Sequence, residues 1–152
     1  MTKSFMDPIN VPVEWHRFLY RSVLLEWEMV LHQRKSFPRF NARKPLAGIN
    51  LVKFDALREL QQRYEDQKSI QKPSESLFFY SNASALKDLF KLIRNCVAHG
   101  HYSSPRKGWI HFHHVHDKKL KLFGQVKFSN IKALVDVISS VDCTQKSVTR
   151  IA

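Results

Sequence analysis

Apolar positions recur at helical spacing in four stretches of the chain. From Pro12, placed like an N1 proline, a first helix is predicted over Val13 to about Lys35, with Trp15, Phe18, Leu19, Val23, Leu24, Trp27, Val30 and Leu31 spread over more than one face. Such a helix is buried on several sides. Asn50 is placed to cap a second helix running to about Gln67, whose apolar stripe of Phe54, Leu57, Leu60 and Tyr64 is narrow and opposed by Arg58, Glu59, Arg63, Glu65 and Asp66. The third helix starts near Ser81–Ser84. Leu86, Leu89, Phe90, Ile93 and Val97 follow at steps of three and four, and Gly100 is positioned to end it in a left-handed cap. The last helix spans about Ser129 to Val141, with Ile131, Leu134, Val135 and Ile138 inward.

Between the third and last helices the period changes to two. Ile110/Phe112 and Leu120/Leu122 alternate within Trp109–Val115 and Lys119–Phe128, and His116, Asp117 and Lys118 lie between, which predicts a β-hairpin. Phe37–Gly48, with Pro38, Pro45 and Gly48, reads as a loop, and Lys68–Ser76, with Pro73, as a linker. Leu77–Tyr80 is a short apolar segment whose pattern does not separate strand from helix. The polar tail from Asp142 to Ala152 is expected to fray. The expected architecture is therefore mainly all-α: one domain over residues 1–152, a bundle of about four main helices with a β-hairpin before the last.

Composition supports a folded chain and adds a partner class. Apolar residues make up 43% of the 152 residues, close to ordinary globular usage, which argues against disorder. With 25 Lys and Arg against 13 Asp and Glu, the formal net charge is +12. Such an excess favours polyanions, because cationic side chains displace counterions from phosphates; plain solubility is the alternative. Cys96 and Cys143 are too few and too far apart for a disulfide framework or a zinc site. Met1–Asn10 has no apolar h-region, and no run is long enough to span a bilayer, so a cytoplasmic protein without a membrane partner is expected.

The main chemical signal lies at the end of the third helix, in Leu92-Ile93-Arg94-Asn95-Cys96-Val97-Ala98-His99-Gly100-His101. The string Arg94-Asn95, then Ala98-His99-Gly100, resembles the motif of the HEPN family, in which four to six residues separate an Arg from a following His; here four do. That resemblance implies a helical scaffold, a homodimer whose motifs meet across a cleft, and metal-independent cleavage of RNA to a 2′,3′-cyclic phosphate. It assigns Arg94, Asn95 and His99 as catalytic residues. It also suggests a toxin or antiphage effector with an antitoxin or other protein partner, or else a non-catalytic module that binds RNA or protein.

The chemistry fits those residue types independently. Removal of a 2′-OH proton and protonation of the leaving oxygen need a group that titrates near neutrality, which His99 supplies. A planar guanidinium such as Arg94 can hold two oxygens of the phosphorane, and the Asn95 amide can orient His99 or bind the phosphate. Asn95 and His99 are four residues apart and share a helix face. Arg94 lies roughly 7.5 Å along the axis from His99 and about 140° around it, so one rigid helix does not aim both at one phosphate. The competing structural reading has His99 capping the helix end and Arg94 paired with an acid such as Asp88 or Glu75.

Other residues add to a basic surface. Arg39, Arg43 and Lys44 in the first loop, with His101, Arg106, Lys107, Lys118, Lys119 and Lys121 around the hairpin, are the expected RNA-binding set. Six of the eight histidines lie between positions 99 and 116. His111 and His113 share a strand face, with His101, His114, His116 and Asp117 near in sequence, but the spacing matches no standard metal site, so a solvent-facing hairpin with no metal or cofactor is expected. Trp109 there could stack on a base. Cys96, beside Ile93 and Val97, reads as a packed thiol.

Overall fold

The computed structural model describes residues 11–67 and 74–140. The expectations for the N-terminal segment 1–10, the linker core 68–73 and the tail 142–152 lie outside the described residues.

Strand residues are too many for a helical bundle: 48% of the described chain is helical and 25% is strand. The mainly all-α expectation is thereby corrected to a mixed fold on a five-stranded sheet of order β1-β2-β5-β4-β3. The strands are β1 (Asn50–Phe54), β2 (Ser76–Tyr80), β3 (Tyr102–Ser103), β4 (Trp109–His116) and β5 (Lys119–Lys127). β1 and β2 run parallel, and every other neighbouring pair is antiparallel.

Each missed strand has a physical reason. β2 is buried on both faces, so Leu77-Phe78-Phe79-Tyr80 reads as an unbroken apolar run without alternation. Leu77 and Phe79 enter the larger core, whereas Phe78 and Tyr80 join a smaller cluster on the other face. β1 occupies the start of the expected second helix. Asn50 opens this strand rather than capping a helix, and its N–H donates to the Glu75 carbonyl at 3.0 Å. Phe54 fell in helical phase with Leu57 only because a bend at Asp55–Ala56 separates strand from helix.

The helices form two unequal layers. On one face lie α1 (Val13–Phe18), a π-helical stretch (Leu19–Leu25), α2 (Glu26–Met29), α4 (Ala85–His99) and α5 (Phe128–Ser140). α3 (Leu57–Gln67) covers the other face with Leu60 and Tyr64 against Phe78, Leu120 and Phe123. The first helix ends at Met29, short of the expected Lys35; Leu31–Gln33 is a 3-10 turn and Arg34 is extended. Pro12 sits one position before the first helical turn with ψ 147°, as its N-cap. Leu19, Val23, Trp27 and Leu31 recur every four residues and are all core residues. Steps of four drift about 40° each in an α-helix, and the wider π turn takes up that drift.

Two backbone features fix the strand geometry. Asp117 (φ 59°) and Lys118 (φ 65°) form a two-residue left-handed hairpin turn, so β4 runs through His116 instead of stopping before it. Gly124 lies mid-strand with φ 151°, and a Cβ there would sit 2.1 Å from the Ser76 carbonyl oxygen and 2.9 Å from the Leu77 Cα. Both obstacles are backbone of the neighbouring strand. Gly124→Ala is therefore expected to destabilise the protein by about 3 kcal/mol or more, measured by chemical denaturation. An unchanged midpoint would contradict this strand pairing.

Candidate functional site

The amphipathic pattern of α4 is realised as expected. Leu86, Leu89, Phe90, Ile93 and Cys96 are buried, and the Cys96 thiol is pushed well up by burial, as befits a packed rather than nucleophilic sulfur. Ser84 is the N-cap residue, though its hydroxyl makes no cap bond; Ser81 Oγ instead donates to Asp88 Oδ2 at 2.7 Å. The C-terminus closes in a Schellman turn: Gly100 is left-handed (φ 71°), and the His101 N–H donates to the Cys96 carbonyl at 2.8 Å. That reversal sends His101 straight back beside His99, with ring centroids 5.7 Å apart.

The outward stripe of α4, Asp88, Lys91, Leu92, Asn95 and His99, forms one wall of an open pocket of about 450 Å³. His114 and His116 from β4, Lys121 from β5, and Tyr80 and Asn82 complete it. Lys121 enters through a β-bulge. His114 pairs with Leu122 and Val115 with Leu120, which leaves Lys121 as the extra residue. The bulge also splits the expected Leu120/Leu122 alternation, because Leu120 joins the α3 cluster while Leu122 joins the main core. Lys121 Nζ lies 5.5 Å from the centre of the Tyr80 ring.

Four of the histidines, His99, His101, His114 and His116, form a connected chain, and the hairpin is less solvent-facing than expected, with His114 buried and His111 and His113 half-buried. His101 Nδ1 and His114 Nδ1 are 3.0 Å apart, so one must be the Nδ1–H tautomer when both are neutral. His114 stacks near-parallel to His99 at 6.2 Å and to His116 at 6.5 Å between ring centroids. On the α3 side, His113 packs 5.1 Å from Tyr64. Burial, and then the repulsion of His101, His99, His116 and Lys121, lowers the His114 pKa to about 4. Burial and His113 do the same to His111, also to about 4. Burial likewise lowers His101 and His113, each with one further histidine contributing. Among the described residues no group of three or more His, Cys, Asp or Glu is gathered to hold a metal ion.

The three motif residues divide between two sides of α4. Asn95 and His99 line the pocket together. Arg94 turns to the first helix, where its guanidinium pairs with Glu28 rather than with Asp88 or Glu75, while Nη1 donates to Asn95 Oδ1 at 2.9 Å. Its Nε is buried without a hydrogen-bond partner. The carbonyl oxygen of Asn95 is thus engaged by Arg94, which leaves the amide NH₂ to donate elsewhere. Arg94 reaches the pocket only through Asn95.

The expected RNA-binding set is dispersed. Lys121 lines the pocket, and Lys118 and Lys119 lie at the adjoining hairpin turn. Arg106 and Lys107 lie beyond the far end of β4, roughly 23 Å along the strand from His116. There the Arg106 guanidinium covers the Trp109 ring at 4.0 Å, so Trp109 already carries a stacking partner. Arg39, Arg43 and Lys44 lie on the loop before β1. His114, His116 and Lys91 were missed as site residues. The α4 stripe 88-91-95-99 could have revealed Lys91; the other two needed the strand register.

No family model matches the chain, no curated protein matches it, and no solved structure matches it. Among the described residues no helix is long and apolar enough to cross a membrane.

The histidine shifts give a signed pH dependence. His111 and His114 are held below their ordinary value of 6.5 in the folded chain, so the unfolded chain binds more protons as pH falls below about 6.5. Their contribution to stability is complete above that pH and is lost as pH falls towards about 4. The melting temperature is expected to drop between pH 7 and pH 5, less steeply in His114→Gln. A flat wild-type profile over that window would refute the buried neutral histidines.

Proposed function

We propose that the α4–β4–β5 pocket is a metal-independent RNA-cleaving site that works by attack of a ribose 2′-OH on the adjacent phosphodiester. The observation that carries this reading is the convergence of His99, His114, Asn95, Lys91 and Lys121 from three elements on one opening. His114 is held neutral and accepts the 2′-OH proton, and His99 protonates the 5′-oxygen as it leaves. Lys91 and Lys121 balance the negative charge of the phosphorane, and the free amide NH₂ of Asn95 donates to one of its oxygens. Arg94 is a positioning residue, fixing the Asn95 amide through the Nη1 bond. The likeness of the Arg94–His101 string to the HEPN motif supports the same reaction class, although the sheet departs from the helical bundle that likeness implies. The homodimer and the role as a toxin or antiphage effector with a protein partner rest on that likeness, and a cytoplasmic location goes with RNA as the substrate.

Purified protein with EDTA present is expected to cleave single-stranded RNA and leave 2′,3′-cyclic phosphate ends. His99→Ala and His114→Gln are each expected to lower the rate at least about 100-fold, and a 2′-O-methyl substrate to remain intact. Cleavage by His99→Ala at the wild-type rate would defeat the assignment. Wild-type protein that binds RNA and leaves it whole would instead favour a non-catalytic RNA-binding module.

Charge beside the pocket gives a second test. Neutralising Lys118, Lys119 and Lys121 together is expected to weaken RNA binding and to flatten the log–log salt slope by up to about 2, at about 0.7 for each single-strand phosphate left without its cation. An unchanged slope would remove the hairpin from the RNA surface.

A further inference from the structure

A second pocket, of about 310 Å³, opens at the other end of β2, between the loop before β1 and the C-terminal half of α3. Its charge is one-sided. Arg43 and Lys44 approach from the loop and Arg63 from α3, and no carboxylate is among the described residues that line it. The acids nearest in sequence have other partners. Glu75, between two lining serines, points to the opposite face of the strand, where its Oε1 accepts from the Lys127 N–H at 3.1 Å and from Asn130 Nδ2 at 2.8 Å. Glu65 and Asp66 on α3 accept from Gln61 and Gln62, each at 3.0 Å.

The neutral lining is rich in donors. Ser74 Oγ and Ser76 Oγ are 2.9 Å apart, so one hydroxyl proton bridges the pair and the other is left for a ligand oxygen. Asn50 and Gln67 contribute side-chain amides. One cation is positioned by its side chain and a second by the backbone of its loop. The Arg63 guanidinium lies over the Phe78 ring at 4.9 Å, and the Arg43 backbone N–H donates to Asn41 Oδ1 at 2.9 Å, which shapes the loop into a local turn. The volume, roughly ten water volumes, exceeds what a phosphate alone would fill.

We propose that this pocket binds a phosphate group, with Arg63, Arg43 and Lys44 neutralising it and the Ser74–Ser76 pair and the two amides completing its shell. The phosphate comes either from an RNA strand or from a free phosphomonoester. The site is separate from the histidine pocket, and its occupancy does not depend on RNA cleavage there. Arg43 and Lys44, expected from sequence to track a nucleic-acid backbone, thereby converge with an arginine 20 positions on in the chain.

The test uses the full chain, ¹⁵N-labelled, titrated with inorganic phosphate, with adenosine 5′-monophosphate, and with a short 2′-O-methyl RNA that the proposed chemistry cannot cleave. Saturable shifts at Ser76, Gln67 and the Arg63 side-chain N–H are expected. Arg43→Gln/Lys44→Gln, confined to exposed loop side chains, is expected to weaken binding about tenfold or more with an unchanged melting temperature. Arg63→Gln supplies an independent variant on the opposite wall. Shifts with phosphate or the monophosphate support the site with a free phosphomonoester as source, and shifts with the oligonucleotide alone support it with RNA as source. No saturable shift at these residues in any arm, or equal affinity in both variants, overturns the proposal. His99→Ala leaves this binding intact, which separates its outcome from that of the cleavage assay.

Discussion

The close approach of β5 to β2 is the constraint to which the rest of the molecule is fastened. Gly124 meets the Ser76–Leu77 backbone so tightly that no side chain fits between them. That approach sets the register in which Phe78 stacks on Phe123 at 4.6 Å between ring centroids, under α3. On the opposite face Leu77, Phe79 and Leu122 are fully buried beneath the helices. Burying both faces of the central strands gives the sheet its driving force, because each large side chain removed from water contributes about 1.5–3 kcal/mol before the entropy of ordering it. One glycine and one bulge reconcile that two-sided burial with a polar pocket at the edge of the same strands.

The bulge converts a packing solution into chemistry. An extra residue in β5 turns Lys121 out of the pleat and into the space where α4 leaves His99 and Asn95 and β4 delivers His114 and His116. Several histidines so close together, with lysines beside them and few acids, disfavour one another's charged forms. Burial and these neighbours together hold His114 and His101 below the ordinary imidazole value, which keeps His114 neutral beside the other groups of the pocket. Asp88, whose Oδ2 accepts from Ser81 Oγ, is the one carboxylate among the described residues that line the pocket.

Arg94 shows how a motif residue can lie near a site without facing it. Its position on α4 turns it towards Glu28, and only the bond to Asn95 carries its influence into the pocket. The pair is partly solvent-exposed, with side chains 27% and 47% accessible, so its contribution to stability is small beside its effect on the orientation of the Asn95 amide. The two basic surfaces likewise have different origins. Lys121 and its neighbours follow from the hairpin, whereas Arg43, Lys44 and Arg63 come together through the parallel pairing of β1 with β2.

The sequence by itself determined α4, its left-handed end at Gly100, the β4–β5 hairpin and α5, because each of these is written in contacts a few residues apart: periods of 3.6 or two, a glycine cap, a short turn. It also placed Asn95 and His99 on one face, since that relation is internal to one helix. The parallel β1–β2 pairing, the strand identity of Leu77–Tyr80, the turn of Arg94 towards Glu28 and the entry of His114, His116 and Lys121 were decided only in three dimensions. Each of these depends on partners distant in sequence, and a strand buried on both faces loses the alternation that would announce it. The bulge at Lys121 is the extreme case. A shift of one residue reverses every side chain beyond it, and nothing local in Lys119–Phe123 records which way the register will fall.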